Sequence, residues 1–182
     1  FNFLLDHYRV GAFLMNGRSD DGLVKEWDAL LLKINEKKIP LITLGEGSTI
    51  RFEKNSISIL SPNFSYLQSG ELNDTGIVEY VFTPPFTTLL TADIGFTVEE
   101  SLLKKYNFQV DVLKIAHHGS KYSSSFSFLD AVRPKVAVIE VGAKNTYGHP
   151  SSEALQRIAS SSISAILRTD KDGTILITPS RK

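Results

Sequence analysis

The apolar positions of this 182-residue chain change period repeatedly, and the changes predict alternating strands and helices. Residues 10–15 read as a short strand ending at Gly17, with Asp6-His7 in a loop ahead of it. Leu23, Trp27, Leu30, Leu31 and Ile34 recur on one helical face; Asp20-Asp21 supply capping chemistry before that helix, and Pro40 ends it. Three short strands follow at residues 41–44, 49–52 and 57–60, then a polar loop over 61–75 containing Pro62 and Gly70. Residues 77–82 and 87–91 predict a hairpin around Pro84-Pro85 whose second strand delivers Asp93. A helix over 98–106 precedes a buried strand, 110–116, that runs into His117-His118-Gly119-Ser120. Ser123-Ser124-Ser125 offers a cap for a helix bearing Phe126, Phe128, Leu129 and Val132. A strand at 136–141, a loop at 142–150, a helix from Ser151 to Ala159, a strand near Ile166 and a strand over 174–177 after a Lys171-Asp172-Gly173 turn complete the pattern. With no internal repeat or linker, residues 1–182 read as one α/β domain.

Composition then narrows the chemistry. With 42% hydrophobic residues the chain can bury a real core, and with no cysteine it excludes disulfides and thiolate metal sites. Any metal must be held by His, Asp, Glu and water. Those residue types fall at predicted strand ends: Asp93, the His117-His118 pair and His149. An Asp carboxylate can bridge two cations and imidazole suits zinc, manganese or iron; a dinuclear centre of this kind polarises a phosphoryl or ester oxygen and lowers the pKa of bound water to about 7. Asp93 is therefore expected to bridge two metals.

Adjacent side chains of an extended segment point to opposite faces, so one of His117 and His118 is expected as a ligand unless the chain turns between them. His117 is favoured, with His118 supporting the ligands or touching substrate. His149 precedes a proline and is biased to extended backbone; it can orient a phosphate, protonate a leaving group or close its loop. Asn73 and Asp74 can hydrogen-bond the ligands or shape a turn. Ser120 reads as a supporting hydroxyl, because no separate base and oxyanion arrangement accompanies it.

Twenty basic residues balance twenty acidic ones, so no global field favours nucleic acid. A nucleic-acid surface would need a local patch, with Lys114, Lys121, Lys144 and Arg168 as candidates and Lys135 as a solvated side chain. No run of about eighteen apolar residues exists, and Asp6, His7 and Arg9 interrupt any signal-like start.

The order Asn73-Asp74-Thr75-Gly76, Leu89-Leu90-Thr91-Ala92-Asp93, Asp111-Val112-Leu113-Lys114, His117-His118-Gly119-Ser120, Asn145-Thr146-Tyr147-Gly148-His149-Pro150 and Arg168-Thr169-Asp170-Lys171-Asp172-Gly173 resembles the metallo-β-lactamase-like domain of the ComEC family of DNA-internalisation proteins. The resemblance runs from Gly11 onward. It implies an αββα sandwich, two divalent ions (zinc or manganese), hydrolysis of DNA phosphodiesters during uptake, and a membrane-embedded parent channel with this domain outside the cytoplasm.

Three departures stand out. The family usually has serine where Gly76 stands and glycine where Ala92 stands; alanine there is harmless at negative φ and costly at positive φ. Its first metal motif, His-x-Asp-x-Asp-His, is absent: Asn2 and Leu4 occupy the positions ahead of Asp6-His7 where His and Asp would stand. The chain starts at Phe1 and its one methionine is Met15, so we expect an N-terminally truncated portion of a larger protein that by itself binds metal weakly and turns over little. The alternatives are a small-ester or phosphocholine hydrolase of the same fold, and a non-catalytic domain that binds DNA or a channel partner.

Overall fold

Residues 1–18, 24–69, 71–107 and 109–178 are described by a computed structural model, with Val24 and Ser69 as backbone alone. Asp20-Asp21, Leu23 and Gly70 lie outside the described residues. In chain order the elements are α1 (Asn2–His7), β1 (Phe13–Met15), α2 (Val24–Glu36), β2 (Leu41–Thr43), β3 (Thr49–Phe52), β4 (Asn55–Ser61) and α3 (Phe64–Ser69). They continue with β5 (Val78–Thr83), β6 (Phe86–Leu90), α4 (Phe96–Lys105), β7 (Val112–Lys114), α5 (Phe126–Val132), β8 (Val136–Ile139), α6 (Ser152–Ala159), β9 (Ala165–Arg168) and α7 (Thr169–Asp172).

A seven-stranded sheet in the order β3-β4-β5-β6-β7-β8-β9 organises the larger core. From β3 to β6 it is an antiparallel meander; from β6 to β9 it is parallel, with α4, α5 and α6 as the three crossovers. The register aligns Leu89 with Leu113 and Leu113 with Ala137. All three are fully buried and belong to one core with Val98, Leu102, Phe128, Leu129, Val132 and Ile158 of the helices. Alternation sends Leu90, Lys114 and Val138 to the other face, where Ile175 and Ile177 help enclose a cavity of about 340 Å³.

A second cluster joins Leu5 to Leu30 and Ile34, with Val10, Phe13, Trp27 and Ile39 around it. Beside it β1 and β2 pair in parallel, and Asn16 Nδ2 donates to Thr75 O at 2.8 Å, tying the end of β1 to the segment before β5. The described residues thus hold one large sheet with helices on one face plus this two-stranded sheet, and not the fully developed second sheet of a sandwich. No helix among them is long and apolar enough to cross a membrane.

Three local expectations are corrected. Asp6-His7 closes a helix, not a loop: Asp6 pairs with Lys33 of α2 and with Lys37 just beyond its end, and the His7 ring stacks on Phe3. The segment 61–75 holds α3 and a 3₁₀ turn at Asn73–Thr75, because Asn63 Oδ1 accepts from Tyr66 N at 3.1 Å and Tyr66 packs on the core. Residues 174–177 form no strand; after α7 the chain leaves β9 at Gly173, whose φ is 70°.

The helices are locked to the loop that follows the histidine pair. Glu99 of α4 is fully buried, and its carboxylate accepts from Ser124 N and from Ser125 N, the latter at 2.9 Å. Arg157 of α6 seals the same loop, donating to the carbonyls of Ser124 (3.0 Å), Ser123 (2.8 Å) and Lys121 (2.9 Å). Desolvation pushes the Glu99 carboxyl above the usual range, against the two amides and the Arg157 charge that pull it down. Glu99→Ala strands both amides at about 1–3 kcal/mol each, so the urea-unfolding free energy should fall by about 2–6 kcal/mol. An unchanged urea midpoint would show that the clamp is dispensable.

Candidate functional site

Because β6, β7 and β8 are parallel, the segments that follow them leave from one edge of the sheet. After β6 the chain turns at Ala92, φ 46°, into Asp93. After β7 it turns through Ala116–Gly119, where His117, His118 and Gly119 have φ of 50°, 55° and 82°. The histidine pair is therefore not extended, and the premise that sent its two side chains to opposite faces does not hold. Three consecutive left-handed residues are costly and need outside support. His117 N donates to Ala92 O at 3.1 Å, Ser120 N to His117 O at 2.9 Å, and Ser151 N to Gly119 O at 2.9 Å. A Cβ on Gly119 would stand 2.6 Å from Pro150 Cβ, so only glycine satisfies both the φ and the approach of the third loop.

The His117 and His118 rings meet edge to face at 6.5 Å between centroids. His118 Nε2 lies 3.6 Å from Asp93 Oδ1, while the His117 ring sits 5.6 Å from that of His149. His118 Nδ1 is 2.6 Å from the carbonyl oxygen of Glu140. A carbonyl only accepts, so Nδ1 carries a hydrogen, and in a neutral imidazole the Nε2 lone pair then faces the Asp93 carboxylate. Lone pair against carboxylate is repulsive unless a cation lies between them: a proton, or a metal ion. By donor type and pairwise geometry Asp93 and His118 fit a divalent cation, yet no group of three or more His, Cys, Asp or Glu side chains among the described residues is gathered closely enough to hold one.

His149 is half-buried with Nδ1 lacking a hydrogen-bond partner. Burial lowers its pKa, the charges of His117 and His118 lower it further, and Asp93 partly opposes them. Its loop is held by Asn145, whose Nδ2 donates to Gly142 O (3.0 Å) and His149 O (2.9 Å) while its Oδ1 accepts from His149 N (3.1 Å). Sequence reasoning placed Asn145 in a motif without giving it a role, and Glu140, acting through its backbone, left no signal at all.

Over 175 residues the chain is 30% identical to ComE operon protein 3 of Bacillus subtilis, covering 94% of this chain and 22% of that protein. Over 120 residues it is 38% identical to competence protein ComA of Neisseria gonorrhoeae, covering 62% of this chain and 17% of that protein. This is a ComEC-like domain of the metallo-β-lactamase fold. No protein-family model matches it. CmlA, a diiron β-hydroxylase from Streptomyces venezuelae, superposes with a TM-score of 0.53 at 13% identity over 90% of this chain and 39% of its own. A structure described as a metal-dependent hydrolase from Parabacteroides distasonis gives 0.50 at 9% identity, over 90% of this chain and 79% of its own.

The ComEC-like domain uses its other singled-out residues mainly as scaffold. Asp74 Oδ1 accepts from Gly95 N at 2.9 Å, fixing the turn between Asp93 and α4, and Asn73 contributes its backbone carbonyl to Gly76 N. Ser120 is buried and its carbonyl and hydroxyl both accept within its own turn. Lys114 Nζ donates to Ala92 O at 3.2 Å, Arg168 makes a paired contact with Asp170, and Lys135 binds Asp111 at the far end of the strands. Lys121 lies 5.0 Å from the Tyr122 ring, and both Lys121 and Lys144 are exposed near the site loops.

The two family departures turn out to be coupled. Ala92 takes the positive φ that alanine disfavours, and a Cβ on Gly76 would meet Ala92 Cβ at 2.7 Å. Glycine at 76 makes room for the methyl at 92. Gly76→Ser alone should cost about 1–3 kcal/mol and Ala92→Gly alone should stabilise by up to about 1 kcal/mol. The double variant should recover most of the loss, a coupling of about 1 kcal/mol or more in a double-mutant cycle, whereas additive effects would show the positions to be independent.

His149 gives a pH signature. Its folded pKa lies below the ordinary 6.5, so the contribution to stability is complete above pH 6.5 and is lost as pH falls through the folded value. In His149→Gln the decline of the urea midpoint below pH 6.5 should be shallower than in the parent; an unchanged slope would show that His149 does not titrate this way.

Proposed function

We propose that this domain is the later portion of a metal-dependent phosphodiesterase that acts on DNA during uptake. The observation that carries it is the Asp93 carboxylate 3.6 Å from His118 Nε2, with His118 Nδ1 turned to the Glu140 carbonyl, a pair of donors of the types that hold a divalent cation. The metal-dependent relatives in fold and the competence proteins in sequence support the same reading. The chain spans about a fifth of the length of those competence relatives, so the substrate and setting belong to the proposal. Asp93 and His118 would hold the metal, with His117 beside them, and Asp93 would bridge when two ions bind. Zinc or manganese suits such an oxygen and nitrogen set. When bound, the metal supplies Lewis-acid polarisation of a phosphoryl oxygen and acidifies water.

His149, whose ring lies 5.6 Å from that of His117, would in its neutral form take a proton from the attacking water and pass it to the leaving group. The working setting is a membrane-bound parent with this domain outside the cytoplasm and DNA as partner. A non-catalytic binding domain is the second reading, favoured by the lack of a gathered three-ligand group among the described residues.

Metal analysis and hydrolysis of a labelled oligonucleotide, made on a protein that includes the segment preceding Phe1, separate the two readings. Asp93→Ala and His118→Ala should lower metal affinity about tenfold or more and reduce cleavage at least as much, and the 182-residue chain alone should hold metal weakly. Full metal retention and cleavage in both variants would overturn the assignment; absence of metal and cleavage in the parent would favour the binding domain.

A further inference from the structure

Tyr147 has no core role. It is 83% exposed and belongs to neither hydrophobic cluster, yet its ring lies nearly parallel to that of His149, at 22° and 6.4 Å between centroids. Its loop is braced from inside by the three Asn145 hydrogen bonds, so the ring stands on a fixed base. Next to it opens a recess of about 380 Å³ bounded by His118, Val141, Gly142, Tyr147 and His149. Pockets from about 300 Å³ upward accept small planar ligands. The wall is mostly apolar, which disfavours a phosphate there. A flat, uncharged, aromatic group suits the recess better than an anion.

We infer that Tyr147 and this recess form a nucleobase-stacking subsite, so that the domain takes single-stranded DNA with one base laid on the Tyr147 ring. The inference rests on the phosphodiesterase reading for the identity of the ligand, since the recess shares His118 and His149 with the candidate centre. In a duplex the base faces are covered by their neighbours, so a site that offers an aromatic face demands an unstacked strand. Lys121 and Lys144, both exposed, lie on the segments that follow β7 and β8 and carry charge suited to a phosphate backbone.

The test is fluorescence-anisotropy binding of two end-labelled decamers, oligo(dT) and the same backbone without bases, to the whole protein that contains this domain. The protein as it stands should prefer the oligo(dT) strand by about tenfold, as one stacked base provides. Tyr147→Phe should keep that preference, and Tyr147→Ala should bring the ratio to within about twofold of one. A ratio near one in the unmutated protein, or a preference that survives Tyr147→Ala, overturns the subsite. The hydrolase reading fails separately: if neither strand is cleaved in zinc or manganese while the Tyr147-dependent preference persists, the subsite stands and the chemistry does not.

Discussion

A buried carboxylate anchors this domain. Glu99 has no exposed surface, the Arg157 guanidinium whose charge acts on it donates to backbone carbonyls, and two amides of the 120–125 segment end on its oxygens. A charge can stay in such a place only when donors converge on it. The convergence requires α4, α6 and the loop after the histidine pair to keep one arrangement. Ser123 carries the constraint onward, donating from its hydroxyl to Ala116 O at 2.9 Å, the residue before His117. The position of the candidate centre thus depends on a group that touches none of it.

Left-handed backbone is the second constraint. Ala92, His117, His118 and Gly119 all take positive φ within one hydrogen-bonded patch, and Ala92 O receives both His117 N and Lys114 Nζ. Strained turns of this kind persist where surrounding packing over-determines them. Here the packing is Pro150 against Gly119 and the vacancy at Gly76 against the Ala92 methyl. The outcome is chemical: His118 is aimed at Asp93 and His117 at His149, instead of both lying along a strand.

Local pattern carried much of the architecture because core alternation and helix periodicity are local properties. Leu89, Leu113 and Ala137 could be assigned to buried strands from their neighbours alone, and Trp27, Leu30, Leu31 and Ile34 to a helix face. Where the pattern misled, as at Asn2–His7 and Phe64–Ser69, short helices are stabilised by contacts far along the chain, Asp6 with Lys33 and Tyr66 with the main core. Short elements lean on such contacts because a few residues cannot offset the cost of nucleating a helix.

The sequence by itself determined where the acid–base and metal-ligand residue types fall: Asp93, His117, His118 and His149 in segments that follow strands, in a chain without thiols, in an order that resembles ComEC-family proteins. It also exposed the paired departures at Gly76 and Ala92, though not that one accommodates the other. Only the tertiary structure decided which histidine meets Asp93, that Glu99 and Arg157 hold the loop, and that Tyr147 stands exposed against His149 beside a recess. The reason is physical. Residue type and spacing set what a segment can become, but the sign of φ at a turn, the tautomer of an imidazole and the partner of a buried charge are set by atoms distant in the chain.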